Sequence, residues 1–363
     1  MRWIAIILLL ISSSVFGKIE ISLLTTTPGD QPHTIFGHTA IRLIDSENEV
    51  DQVFNYGLVN FNQPFFPIML LHGTTDYWLG VQSIRKFKEI NNRERRFIHE
   101  QKLDLSAAIS EAIASTLREN AKSENKFYRY SFTQKNCATP VRDLLGDHGL
   151  MPPDRQSDLT YRELLHQYIK VDGWYQFGIH LILGTMAEQK MTLHQTFFVP
   201  ERLEKAVHEV PGLVSETNTL NEVIPPEMGG GKRFFISPLF IFSILTMISL
   251  KYRGKWMKVP LFILIGSLGS FLLYITLVTE HVELMNNFNV LWCNPLFLVL
   301  GVVLIFSDKT YLLSLSILTC ISVSLLMYLL NIQKFDLQII PLLICLCILL
   351  RDEIVKRKSV LVQ

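Results

Sequence analysis

Outside its apolar stretches the sequence has one cysteine. Of the five in 363 residues, Cys293, Cys320, Cys345 and Cys347 fall inside long apolar runs, which leaves Cys137 alone in the remainder. A disulfide within that remainder is excluded, so its thiol is buried and inert, joined to another molecule, or a working nucleophile. Charge of one sign is also lacking. Lys and Arg number 34 against 33 Asp and Glu, which gives no electrostatic footprint for nucleic acid or another polyanion. No cysteine-rich or HExxH pattern occurs, and His33, His72, His99, His148, His166, His180 and His194 are scattered without metal-ligand spacing. A zinc site on His33 and His38 would need a distant ligand that no motif supplies, and no cofactor is called for.

What is present divides the chain by hydropathy. Residues 1–17, "MRWIAIILLLISSSVFG", carry Arg2, an apolar run from Trp3 to Ile11 and small residues before Lys18, the pattern of a secretory signal peptide. An uncleaved anchor would leave the following domain on the same side of the membrane. Residues 18–232 read as an ordinary globular mixture. Residues 233–350 hold five apolar runs, Phe234 to Leu250, Val259 to Val278, Val290 to Phe306, Tyr311 to Leu330 and Phe335 to Leu350. The second and fourth are long enough to cross a bilayer, the first and third lie near the lower limit, and the fifth is short.

Basic residues orient these runs. "KYRGKWMK", with Lys251, Arg253, Lys255 and Lys258, and the tail 351–363, with Arg351, Lys356, Arg357 and Lys358, belong on the cytoplasmic side. "TEHVELMNNFN" has neither Lys nor Arg and belongs outside, although Lys232 and Arg233 weaken the pattern. In that outer loop Trp292 suits an anchor at headgroup level and the asparagines suit helix ends. A contact of His281, Asn287, Asn289 and Asn294 with a phosphate or a lipoprotein backbone is the functional alternative.

Cys137 stands in "TQKNCATPVRDLL". "FYRYSF" before it alternates like a strand, and Val141, Leu144 and Leu145 after it share a helical face, with Gly146 or Gly149 as a stop. A thiol at such a junction meets free N–H groups and the positive end of a helix dipole, which lower its pKa and can hold an oxyanion. The best base is His38 in "TIFGHTAIRLID", at the head of an alternating strand. The next strand, "DQVFNYG", offers Asn55 or Asp51 to orient the imidazole, and Asn55 is preferred. Arg162, beside Tyr161, could meet a phosphate or form a surface salt bridge.

A strand with "GHTAIRL", a second strand with a polar residue and a helix opening on "NC" together resemble the circularly permuted papain-like fold of the NlpC/P60 and lecithin:retinol acyltransferase superfamily. The order, histidine before cysteine, is the reverse of that usual in papain-like hydrolases. Further stretches, "VFNYGLVNFNQPFFPIMLLHGTTDYWLG", "TYRELLHQYI", "WYQFGIHLILG", "FFVPERL" and "EHVELMNNFNVLWCNPL", resemble the Lnb family of Bacteroidota across nearly the whole mature chain. The resemblance implies an α+β, circularly permuted papain-like periplasmic domain over 18–232, then an all-α transmembrane domain of five helices, all in the inner membrane. It implies lipoprotein N-acylation, with Cys137 as nucleophile, His38 as base, a phospholipid as acyl donor and a diacylated lipoprotein as acceptor. "LGTMAEQKM" departs from the Asp-Arg expected near Glu188 and Gln189, so that loop receives no role. A membrane-anchored cysteine peptidase or amidase of the cell wall, and a scaffold with a silent Cys137, remain the rival readings.

Overall fold

A computed structural model describes residues 19–31, 33–169, 173–225 and 234–361, without side chains beyond Lys356. The expected signal segment 1–17, together with Lys232 and Arg233, lies outside the described residues. Nine strands form among those described: β1 (Ile19–Thr26), β2 (His38–Asp45), β3 (Val50–Leu58), β4 (Asp76–Ser83), β5 (Ile98–Leu103), β6 (Phe127–Arg129), β7 (Gln156–Thr160), β8 (Lys190–Thr192) and β9 (Val214–Thr219). Helices of seven residues or more are α1 (Phe66–His72), α2 (Ile84–Arg93), α3 (Ala107–Asn120), α4 (Thr139–Asp147), α5 (Tyr161–Tyr168), α6 (Gly173–Ile182), α7 (Pro200–Glu209), α8 (Pro238–Lys251), α9 (Lys255–Val278), α10 (Leu296–Phe306), α11 (Tyr311–Leu329) and α12 (Ile340–Leu361). The chain sorts into two compact units that interleave in sequence. Among the described residues, the first comprises those up to Gln63, Asp76–Arg155 and those from Leu193 to 225; the second comprises Pro64–Thr75, Gln156–Thr192 and those from Phe234 onward. Two segments before residue 232, Pro64–Thr75 and Gln156–Thr192, thus group with the helical part.

The first unit is built on an antiparallel sheet of order β6-β4-β3-β2-β1-β5-β9. Alternation divides its side chains between two layers. Ile21, Leu23, Ile41, Leu43, Phe54 and Tyr56 bury one face against Ile113 and Leu117 of α3, Val141 and Leu145 of α4, and Leu203 and Val207 of α7. Each fully buried aliphatic side chain there contributes about 1.5–3 kcal/mol relative to exposure. Leu24, Ala40, Val53 and Ile98 point the other way and pack on Phe87 of α2. Register places His38 and Arg42 on this second face, since His38 pairs with Thr26 and Ala40 with Leu24.

The second unit is helical, with a core that includes Phe262, Phe297, Leu300, Ile317 and Leu346. Three stretches among the described residues are long and apolar enough to cross a membrane: Lys255–Val278, Asn289–Phe306 and Tyr311–Leu329. α8 is apolar but has only 14 residues, because Ser237 caps it and Pro238 opens it. α12 continues without a break from its apolar start through Arg351 and Lys356, so the expected cytoplasmic tail is the end of that helix. The second of these stretches is interrupted after Trp292 and resumes as α10. Gly269 and Gly266 admit this segment against α9, since a Cβ would stand 1.8 Å from the Cys293 carbonyl oxygen and 2.0 Å from the Leu298 nitrogen. Lys258 is fully buried, donating to Asp352 and, at 2.5 Å, to Glu353, which also accepts from Thr310. The loop before α9 and the basic end of α12 therefore lie at the same end of this unit.

Candidate active site

The first residue of β2 and the last turn of β3 frame the site. β2 pairs Ile41 with Phe54, so Asn55 faces the same side as His38, one step diagonal to it. The His38 Nε2 and Asn55 Oδ1 stand 2.5 Å apart. An amide oxygen only accepts, so Nε2 carries the proton and Nδ1 keeps its lone pair. Asp51, the other candidate for this role, is held by Arg42 in a two-point pair at 2.7 and 2.8 Å, and Arg42 also reaches Glu100 at 2.9 Å.

Cys137 stands just before α4, half-buried, as is His38. The backbone N–H of Thr39, the residue beside His38, acts to lower the Cys137 thiol pKa, and Gly57 of β3 lies against Cys137. Gly57 makes this approach possible: its φ is +90°, and a Cβ there would come within 3.2 Å of the Cys137 Cβ. Asn136 fixes the turn. Its Oδ1 accepts from Ala138 N–H at 2.8 Å and Thr139 N–H at 3.1 Å, and its Nδ2 donates to the Phe198 carbonyl at 2.7 Å. Asn136 thus takes helix-end donors that the sequence left free for the thiol.

That capture and the burial reverse one expectation. The Cys137 thiol is not acidified: burial pushes its pKa up, and the backbone donors and the Arg96 cation only partly offset this. The His38 pKa falls to about 4, chiefly through burial and next through Arg96, against the opposing hydrogen bond to Asn55. Near neutral pH both partners are uncharged. Burial thus works against a preformed thiolate on Cys137 and against an imidazolium on His38.

Arg96 is the residue that sequence reasoning missed. It is buried, donates from Nη1 to the Thr26 hydroxyl at 2.8 Å and pairs with Glu94 at 2.5 Å. Thr26 is the cross-strand partner of His38, which sets the guanidinium on the histidine's face of the sheet. In the sequence Arg96 is one member of "RERR", a run that reads as solvated charge.

The second unit holds other singled-out residues. Arg162 makes no surface bridge: it is buried, bonded from Nε to Glu188 at 2.7 Å and from Nη1 to His180 Nδ1 at 2.9 Å. The same pair gives Glu188 of the departing loop a structural partner. Trp292 is not a headgroup anchor, being 1% exposed and bonded to Asn289 Oδ1 at 2.9 Å. Asn287 and Asn289 both donate to the Leu181 carbonyl, and Asn294 caps the start of α10 through Leu296 N–H.

Two family profiles match the chain in succession: the Lnb N-terminal periplasmic domain over residues 13–167 and the Lnb transmembrane domain over residues 232–357. The chain belongs to the Lnb family. No curated protein and no solved structure matches it. Lnb membership makes the chain an inner-membrane protein of lipoprotein-modifying type, with a periplasmic domain ahead of its spans. The Lnb N-terminal match encloses His38, Asn55, Arg96 and Cys137 together.

Proposed function

We propose that this protein is a lipoprotein N-acyltransferase that moves a fatty acyl group from a phospholipid, through a thioester on Cys137, to the α-amine of a diacylglyceryl-modified N-terminal cysteine. The observation that carries the reading is the His38–Asn55 bond on the strand pair whose Gly57 lets Cys137 approach. Asn55 turns the basic Nδ1 away from itself, and this nitrogen takes the Sγ proton as sulfur attacks the ester carbonyl carbon. The oxyanion is held by backbone N–H groups next to the sulfur, those of Cys137 and Thr39. When the carbon–oxygen bond breaks, His38 returns the proton to the departing lysophospholipid oxygen. His38 then accepts a proton from the lipoprotein amine as nitrogen attacks the thioester carbon, and as the carbon–sulfur bond breaks His38 passes that proton to sulfur, which restores the thiol and the free base.

A neutral dyad fits this cycle, because the base must be unprotonated at the start of both half-reactions. The test is incubation of the full-length protein in detergent with phospholipid and a synthetic diacylated lipopeptide, followed by mass spectrometry of the lipopeptide. An amide-linked third chain that disappears in Cys137→Ser and His38→Ala supports the transferase. An unchanged lipopeptide alongside cleavage of cell-wall peptides would replace it with the amidase reading.

A further inference from the structure

α1 is a helix without a buried residue, although its sequence is Phe-Pro-Ile-Met-Leu-Leu-His. Ile68 is 50% exposed, and Phe65, the residue before the helix, is 75% exposed. A short apolar helix has no stability of its own in water, and one displayed on a surface marks an interaction site.

The backbone of α1 is supplied almost entirely from within the second unit. At its C-terminus the Leu70 carbonyl accepts from His281 Nε2 at 2.7 Å, Leu71 from the Thr279 hydroxyl at 3.0 Å, and His72 from Glu280 N–H at 2.8 Å. The Met69 carbonyl accepts from Thr74 N–H at 2.9 Å. At the N-terminus Pro67 has no N–H to satisfy, while Ile68 and Met69 both donate to the Phe65 carbonyl at 3.0 Å. A helix end facing water needs no such provision, whereas in hydrocarbon every backbone group must find a protein partner.

Its attachment fixes its depth. His72 Nε2 meets the Tyr274 hydroxyl at 2.7 Å, and the other bonds come from residues 279–281, all at the end of α9 opposite the buried Lys258 cluster. There α9 exposes Tyr274, Leu277 and Val278, so the bare apolar surface of α1 continues the lipid-facing surface of a span. Phe65 keeps a left-handed backbone, φ 58°, which costs a bulky residue about 1–2 kcal/mol. That cost is retained while the ring points away from the protein.

We propose that α1 and Phe65 are immersed in the bilayer leaflet at this end of α9, with acyl chains covering Phe65 and Ile68. The depth matches an interfacial helix, about 5–10 Å below the headgroup boundary. On the acyl-transfer reading, this element is where the enzyme disturbs the leaflet that holds its donor lipid.

The test uses the full chain in phospholipid vesicles with Phe65→Trp and Ile68→Trp, each read as a difference spectrum against the parent, and Glu47→Trp as an exposed control. The added emission at 65 and 68 should shift to the blue and be largely lost with lipids brominated high on the acyl chains, and the control should respond only to aqueous iodide. Quenching of 65 and 68 by iodide would overturn the proposal. Protection from both quenchers would also overturn it, pointing to a second copy or a protein partner. Because the readout is independent of turnover, it stands or falls separately from the acyl-transfer reading; if both hold, Phe65→Ser/Ile68→Ser raises the KM for vesicle phospholipid.

Discussion

His38 and Asn55 meet Nε2 to Oδ1 at 2.5 Å, and this contact decides which imidazole nitrogen is basic. Replacing Asn55 by alanine frees the ring to rotate and to change tautomer. One neutral hydrogen bond is worth about 1 kcal/mol, so kcat in Asn55→Ala should fall at least roughly fivefold. His38→Ala should fall about 10²–10⁴-fold through loss of the base, and steady-state acyl transfer measures both.

The pH profile should be unusual for a histidine base. With the His38 pKa at about 4, the imidazole is still free at pH 5, so kcat/KM should hold on acidification from pH 7 and decline only toward pH 4. Arg96→Gln removes a cation that disfavours protonation, and should move this acid limb upward toward the ordinary histidine value of about 6.5. Stability has the matching sign. Between about pH 6.5 and 4 the unfolded chain protonates His38 while the folded chain does not, so thermal stability of the periplasmic unit should drop across that window.

Gly57→Ala should displace the nucleophile. The new methyl would sit 3.2 Å from the Cys137 Cβ on a backbone with φ +90°. The strain is about 1–2 kcal/mol, and both the melting temperature and the rate of Cys137 alkylation should report it. Gly57→Ala that melts and alkylates like the parent would remove Gly57 from the site's architecture.

Glu188→Ala should destabilise the helical unit more than any change at the dyad. It leaves the buried Arg162 without its carboxylate, for which a loss of about 3–5 kcal/mol is expected. Thermal unfolding in detergent provides the measurement, with Arg162→Met/Glu188→Leu predicted to recover much of the loss.

The residues of the proposed dyad stand out in the sequence because their signals are local. Cys137 stood alone in a globular stretch, and His38 headed an alternating strand whose neighbour offered Asn55. Arg96 and Asn136 were illegible for a different reason: their roles arise from long-range placement, Arg96 through Thr26 and Asn136 through the Phe198 carbonyl. Hydropathy found the apolar runs but not their packing. Trp292 was read as interfacial from its position at a span end, yet the break before α10 turns it inward. α1 is too short to register as a membrane element in the sequence, and its bonds to Tyr274 and residues 279–281 carry the depth proposed for it.

The central claim is that Cys137 carries the acyl group. Full-length protein would be incubated with phospholipid and no acceptor, then digested and analysed by mass spectrometry. One fatty acyl chain on the Cys137 peptide, released by hydroxylamine and absent from His38→Ala, is the predicted result. An unmodified Cys137 peptide from a preparation that still acylates lipopeptide once acceptor is added would contradict the account.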